Sequence, residues 1–273
     1  MKSYNSCSFL YITGISLPRI LKLTESVSLI PVNSSIDESL LLTTSKSKIH
    51  YGLALITLAN VTAQLLVNDQ DSKSCVIDCW NSQWYLMLIS AIFDCELAWN
   101  FQGDTSFDCI NDCSQIDIVH PYIGKTPHRK TRTLLESDLV WIETNLSSMW
   151  SLLDLETFSN AIHALVWYRA IFNASGQMAI IWSAIEGLFH IESELSFRLS
   201  LYISLFLEDS NRVSRKSLFN NVKTLYNHRS SAVHGKSKKV SAIHVQESCS
   251  LLRRLVIKSI ELGELPCTED LIP

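Results

Sequence analysis

Apolar residues recur at helical intervals through the second half of the chain, beyond Thr133. Residues 195–207 are apolar on nearly every side, as a central helix of a bundle would be. The clearest one-sided pattern precedes them, where six large apolar side chains fall on one helical face: Met178, Ile181, Trp182, Ile185, Leu188 and Phe189. Because the predicted connections are short, the pattern is typical of an antiparallel helical bundle.

Further helices are predicted on both sides of that segment. Ser137-Asp138 can cap a helix at its start, and a second helix lies around Phe158 and stops before the turn-like residues 173–176. Residues 217–226 lead into a short polar segment. Residues 240–262 form a last amphipathic helix, with its arginines and lysine directed outward.

The first 125 or so residues lack this regular pattern. Residues 40–45 are predicted as a short strand. Residues 51–67, rich in Leu, Val, Ile and Thr, fit a long strand, a pair of strands or a buried helix, and residues 76–100 are equally ambiguous. A basic stretch with Pro and Gly at 121–132 predicts a linker. The expected fold class is therefore α+β, with a helical bundle preceded by a mixed domain that contains β-structure.

Three segments follow from these patterns. Residues 1–125 are predicted as an N-terminal domain, mixed α/β or β-rich, residues 130–262 as the helical domain, and residues 263–273 as a C-terminal tail. A chain of 273 residues with 47% hydrophobic and 18% charged content has enough apolar surface to bury a core, which excludes a disordered protein.

Charge is distributed unevenly along the chain. Residues 191–262 hold 12 Lys and Arg against six Asp and Glu, whereas the remainder holds 11 against 21. A basic region within an acidic protein suits a polyanionic ligand, although a solvated helical surface explains it equally well. With no apolar stretch of about 18 residues and no convincing cleavage site for a secretory signal, a cytoplasmic protein without membrane contact is expected.

The eight cysteines are scattered, and reduced thiols are expected in a chain large enough to have its own core. Two pairs with three intervening residues, Cys75 with Cys79 and Cys109 with Cys113, permit a zinc site of four thiolates. Neither pair has a surrounding glycine-containing knuckle, so no metal is predicted. Motifs for a serine nucleophile or a phosphate-binding loop are absent.

The basic region contains an arginine and a histidine separated by four residues, Arg229 and His234, followed by Gly235. Arginine is a permanent cation whose planar fork of donors matches phosphate oxygens, and histidine exchanges a proton near neutral pH. Together these groups have the chemistry to act on a phosphodiester. On a regular helix they would point about 140° apart, so they converge if Arg229 begins a helix, if its side chain wraps round, or if a second chain completes the site.

An ordered set of residues, rather than the pair alone, resembles a known family. The set comprises Trp182 to Phe189 with Glu186, the apolar helix around Phe197, Leu225-Tyr226, Arg229-Ser230 and Val233-His234-Gly235. In this order they resemble the HEPN superfamily, and more narrowly its ApeA-like branch of bacterial anti-phage proteins. Residues 132–142 are similar to the segment that leads into those domains, and the resemblance covers about residues 130–262.

The resemblance implies a bundle that dimerises and brings two Arg/His motifs together in a metal-independent endoribonuclease without cofactors. His234 would be the general base or acid, and Arg229 would hold the scissile phosphate while the ribose 2′-OH attacks it. Ser230 stands where many active members have Asn, Asp or His, and its hydroxyl can donate to phosphate. Glu186 matches an acidic position of the family and would orient Arg229 or His234.

Each supporting residue also has a structural interpretation. Glu186 can form an interhelical ion pair with Arg198 or Arg229, and Tyr226 can pack in the core instead of contacting RNA. Arg198 is a further candidate for RNA binding. Three lysines fit either a solvated loop or an RNA-backbone patch: Lys236, Lys238 and Lys239.

The sequence therefore predicts a ribonuclease of a bacterial defence or toxin-type system, with RNA and a second copy of the chain as partners. Residues 1–125 would sense a phage-derived or cellular trigger or restrain the nuclease. The alternative is a non-catalytic HEPN module for dimerisation or for binding RNA or nucleotides. A zinc-stabilised nucleic-acid sensor is a third, weaker hypothesis.

Overall fold

The computed structural model describes five stretches of the chain: 7–119, 131–191, 194–208, 211–233 and 240–271. The chain forms two compact units, Met1–Leu146 and Ser147–Pro273. The first contains a mostly antiparallel sheet with helices and the second is helical, so the fold is α+β as predicted.

The first unit is built on a central sheet. Its strands are β1 (Cys7–Thr13), β2 (Ile15–Ser16), β3 (Leu21–Lys22), β4 (Val27–Pro31), β5 (Val61–Asn68), β6 (Ala98–Gly103), β7 (Ile116–Ile118) and β8 (Arg132–Thr133). Six of them form an antiparallel sheet in the order β3-β4-β5-β1-β6-β7, while β2 and β8 pair in parallel. The strands β5, β1 and β6 lie inside the sheet with neighbours on both edges, and most of their residues are buried.

Four helices accompany the sheet: α1 (Glu38–Thr44), α2 (Lys48–Thr57), α3 (Ser72–Asn81) and α4 (Gln83–Phe93). The strand predicted at residues 40–45 is wrong, since Leu40 to Thr44 lie in α1. The Asp37 side chain caps this helix at the Ser39 N–H, and Leu41 is buried, so local capping outweighs the strand preference of the threonines. The ambiguous segment 51–67 contains both elements, because a 3-10 turn at Leu58–Asn60 separates α2 from β5.

The helix α5 (Glu136–Leu152) crosses the division between Leu146 and Ser147. Its first turns belong to the first unit, where Arg19 forms ion pairs of 2.7 Å with Glu136 and with Glu143. The Phe93 ring also meets Trp141 edge to face. Most of the linker predicted at 121–132 lies outside the described residues, while Arg132 and Thr133 form β8.

The helical unit continues with α6 (Glu156–Trp167), α7 (Ala174–Phe189), α8 (Leu195–Leu207), α9 (Arg212–Val233) and α10 (Ala242–Leu262). The predicted α8 has the observed bounds, and the predicted turn before α7 supplies the Asn173 cap, which accepts from the Gly176 N–H. Helix α7 packs on α6, α9 and α10 through a buried face that includes Trp182 and Ile185. This central position makes α7 the natural support for side chains that face α9.

Among the described residues, no helix is both long enough and apolar enough to cross a membrane.

Candidate functional site

Arg229 lies on the inward face of α9. The buried residues Val222 and Leu225 precede it by seven and four positions, so the helical repeat directs its side chain toward the same interior face. Arg229 is four residues from the end of a helix that begins at Arg212. The possibility that Arg229 begins a helix is therefore excluded, and its side chain reaches the site from the body of α9.

The guanidinium of Arg229 forms an interhelical ion pair with Glu186 of α7. The Arg229 Nη2 donates to the Glu186 Oε2 at 2.9 Å, and the two side chains are 21% and 20% exposed. Of the two partners considered for Glu186, the structure selects Arg229. Arg198 instead donates from Nη2 to the Tyr202 hydroxyl at 3.2 Å on its own helix α8.

Burial dominates the electrostatics of this pair. Removal from water raises the pKa of Glu186 above its ordinary range, and the charge and hydrogen bond of Arg229 oppose that rise without cancelling it. One oxygen and one nitrogen, Glu186 Oε1 and Arg229 Nε, are buried without a hydrogen-bond partner in the part of the chain that the structure describes. The pair therefore retains donor and acceptor capacity beyond its own hydrogen bond.

Tyr226 packs beside the ion pair. Its ring meets Trp182 edge to face with 5.4 Å between centroids, and the Arg229 Cζ lies 5.5 Å from the Tyr226 centroid. Burial raises the pKa of the Tyr226 hydroxyl. The packing role considered for Tyr226 is thus the one the structure describes, and its ring limits the positions open to the guanidinium.

A residue of α10 holds in place the aromatic layer that Trp182 and Tyr226 form. Trp182 is fully buried and its Nε1 donates to the Ser248 Oγ at 2.9 Å. A chain of contacts therefore runs from Ser248 through Trp182 and Tyr226 to Arg229. Ser230 follows Arg229 on α9 and is partly exposed.

Four residues proposed from the sequence lie outside the described residues: His234, Lys236, Lys238 and Lys239. The structure therefore brings together Arg229, Glu186 and Tyr226, while the histidine and the three lysines stay predictions. Helix α9 ends at Val233, directly before His234 in the sequence.

Sequence reasoning missed a histidine pair at the junction of α9 and α10. The rings of His228 and His244 stack with 3.6 Å between centroids and 17° between planes. The Ser241 N–H donates to the His244 Nδ1 at 3.2 Å, which completes a capping box at the start of α10. The signal was present in the sequence, because His244 stands three residues after Ser241, where Glu or Gln usually completes such a box.

The cysteine pairs lie in different environments. Cys75 and Cys79 are buried in α3, whereas Cys109 and Cys113 are exposed. Across the described ranges, no group of three or more His, Cys, Asp or Glu side chains is arranged to hold a metal ion.

Comparisons with protein-family models, with curated proteins and with solved structures give no match to this chain.

Proposed function

We propose that this chain is a metal-independent endoribonuclease of HEPN type, of the ApeA-like branch, in which Arg229 and His234 cut RNA. The observation that supports the proposal is the state of Arg229. Its guanidinium is anchored by Glu186 and bounded by Tyr226, its buried Nε has no partner among the described residues, and about a fifth of the side chain is exposed. An arginine held in one place can stabilise charge as it develops on phosphate without first reorganising.

In the proposed reaction the ribose 2′-OH attacks the adjacent phosphorus. His234 removes the 2′ proton as general base, or protonates the departing 5′ oxygen as general acid. Arg229 binds the non-bridging phosphate oxygens, and Ser230 adds a hydroxyl donor. The P–O5′ bond breaks as the P–O2′ bond forms, which leaves a 2′,3′-cyclic phosphate and a 5′-OH, so the reaction consumes no water and requires no metal.

Glu186 acts as a positioning residue in this proposal. Its carboxylate fixes the guanidinium through Nη2 and leaves the other donors for phosphate. The same carboxylate repels a phosphate, so Glu186 weakens the binding of RNA in the ground state. Its contribution to the reaction is to hold Arg229 in position. In the proposed dimer, His234 of either chain can complete the site, which removes the difficulty of the helical spacing between Arg229 and His234.

The wider role follows the resemblance of the helical region. The protein would act in the bacterial cytoplasm as a defence or toxin-type nuclease, and the first unit would sense a phage-derived or cellular trigger. The sheet of that unit and its helices form a separate compact body, which suits a regulatory part.

Product chemistry tests the proposal. The full-length chain is incubated with mixed cellular RNA in excess EDTA, with and without phage-infected cell extract, and the new RNA ends are identified. The proposal predicts 2′,3′-cyclic phosphates and 5′-hydroxyls. Products with 5′-phosphates, or cleavage that EDTA abolishes, would rule out this mechanism.

A non-catalytic binding module is the second candidate, and one observation favours it. Arg229 already has a carboxylate partner, and an ion pair whose sole role is to hold α9 against α7 would have the same geometry. In that case the protein binds RNA or a nucleotide, or forms dimers, without cleaving RNA. RNA that stays intact in both incubations, together with RNA binding, would favour this candidate.

A further inference from the structure

Helix α9 has an outward face that is basic and polar along its length. Its buried positions Leu218, Val222 and Leu225 define the inner face, and four exposed polar residues recur on the opposite side: Lys216, Asn220, Lys223 and Asn227. Successive members are separated by three or four residues, so they form one continuous row.

All the formally charged residues of α9 are positive. The helix contains five cationic residues and no Asp or Glu: Arg212, Arg215, Lys216, Lys223 and Arg229. Neither Lys216 nor Lys223 forms an ion pair within the described ranges. The two lysines differ in this from Arg19 and Arg254, which form ion pairs with carboxylates. The other two members of the row have amide side chains, with Asn220 between the two lysines and Asn227 after Lys223. The row therefore offers hydrogen bonds and contains no carboxylate that would repel an anion.

We propose that this row binds the sugar-phosphate backbone of single-stranded RNA that flanks the cleaved bond. The inference rests on the proposed ribonuclease function and names a second contact surface for its substrate. Lys216 and Lys223 are two helical turns apart, about 10.5 Å along the axis. This distance corresponds to roughly three phosphates at about 3.4 Å per nucleotide of a stacked strand.

The row is distinct from the Arg229 site. Arg229 follows Lys223 by six residues and therefore lies about 120° round α9 from it. An RNA strand on the row therefore contacts a different face of α9 from the one that carries the guanidinium. The lysines therefore bind RNA in the ground state and in the transition state alike, so their loss raises KM and leaves kcat unchanged.

The salt dependence of RNA binding tests the row. The full-length His234→Ala chain serves as a non-cleaving background, and its affinity for a fluorescent single-stranded RNA is measured from low to moderate salt. The Lys216→Gln/Lys223→Gln double substitution is added to it. The matched control is Lys22→Gln/Lys73→Gln, which removes two exposed lysines from the first unit.

Loss of two phosphate contacts decreases the slope of log K against log salt by about 1.4 for a single strand. The proposal predicts that decrease for the α9 pair and a smaller change for the control. Equal slopes for the two pairs, or an unchanged slope for the α9 pair, would overturn it while RNA binding itself persists. A background chain that binds no RNA at all would overturn the proposed ribonuclease function together with the row.

Discussion

Arg229 and Glu186 join α9 to α7 through a single hydrogen bond of 2.9 Å between Nη2 and Oε2, with about a fifth of each side chain exposed. The bond has ordinary length, and Glu186 Oε1 and Arg229 Nε have no partner among the described residues. A purely structural ion pair gains most from bidentate contact between the two groups. The observed single contact is therefore compatible with a guanidinium that also binds a ligand.

Arg229→Lys separates charge from shape. Lysine keeps the positive charge beside Glu186 but loses the planar fork that can hold a carboxylate and a phosphate together. We expect kcat for RNA cleavage to fall about 100-fold, with a much smaller loss of stability than in Arg229→Ala. Steady-state kinetics and urea unfolding of both variants check this. A lysine variant that cleaves at the wild-type rate would show that the fork is not used.

Comparing the stability of wild type and Glu186→Gln at different pH values tests the effect of burial on the Glu186 carboxylate. Because burial raises the pKa of Glu186 in the folded protein, its protonated form is favoured by folding. The contribution of Glu186 to stability is therefore full below the ordinary glutamate pKa of about 4.3. It is lost as pH rises through the higher folded value.

Urea unfolding of wild type and Glu186→Gln over this pH range measures the effect. The wild type should lose stability relative to the glutamine variant as pH increases. At neutral pH, Glu186→Gln should also bind RNA more tightly than the wild type and cleave it more slowly. Parallel stability curves would show that Glu186 does not titrate as described.

Ser248→Ala removes the support of the aromatic layer. The Trp182 Nε1 would lose its partner in a fully buried position, which costs about 1–3 kcal/mol of unfolding free energy. Ser250→Ala is the matched control on the same helix, since Ser250 is exposed and should change stability by less than about 0.5 kcal/mol. Chemical denaturation of the two variants decides. Equal stabilities would mean that the Trp182 hydrogen bond adds nothing.

His244 is expected to act as the closing residue of a capping box. His244→Gln retains a side-chain acceptor for the Ser241 N–H, whereas His244→Ala does not, and both variants lose the stack with His228. The alanine variant should therefore be less stable than the glutamine variant by about 1 kcal/mol. Hydrogen exchange in the first turn of α10 locates the change. Indistinguishable variants would leave the ring stack as the only role of His244.

The sequence predicted the helical region well because its apolar residues repeat at one period. Residues 195–207 form α8 with the predicted bounds, and Asn173 caps α7 at its start, although the preceding helix α6 already ends at Trp167. Short apolar runs in the first unit have no such repeat. At residues 40–45 the cap at Asp37 stabilises a helix instead of the predicted strand. At 51–67 one apolar run divides into a helix and a strand.

The candidate site was predictable in its residue types but not in its geometry. From the sequence, Arg198 and Arg229 are both possible partners for Glu186, and only the packing of α9 on α7 selects Arg229. The histidine stack depends on how α10 returns alongside α9, which no local pattern specifies. Tyr226 illustrates the same limit, because its role as a packing residue follows from the position of Trp182.

The rate of RNA cleavage by His234→Ala tests the central claim most directly. The matched control is His190→Asn, which removes another histidine at a position of positive φ (48°) that asparagine tolerates. We predict that His234→Ala folds like the wild type and loses about 100-fold or more of the cleavage rate, while His190→Asn cleaves normally. Cleavage by His234→Ala at the wild-type rate would contradict the account.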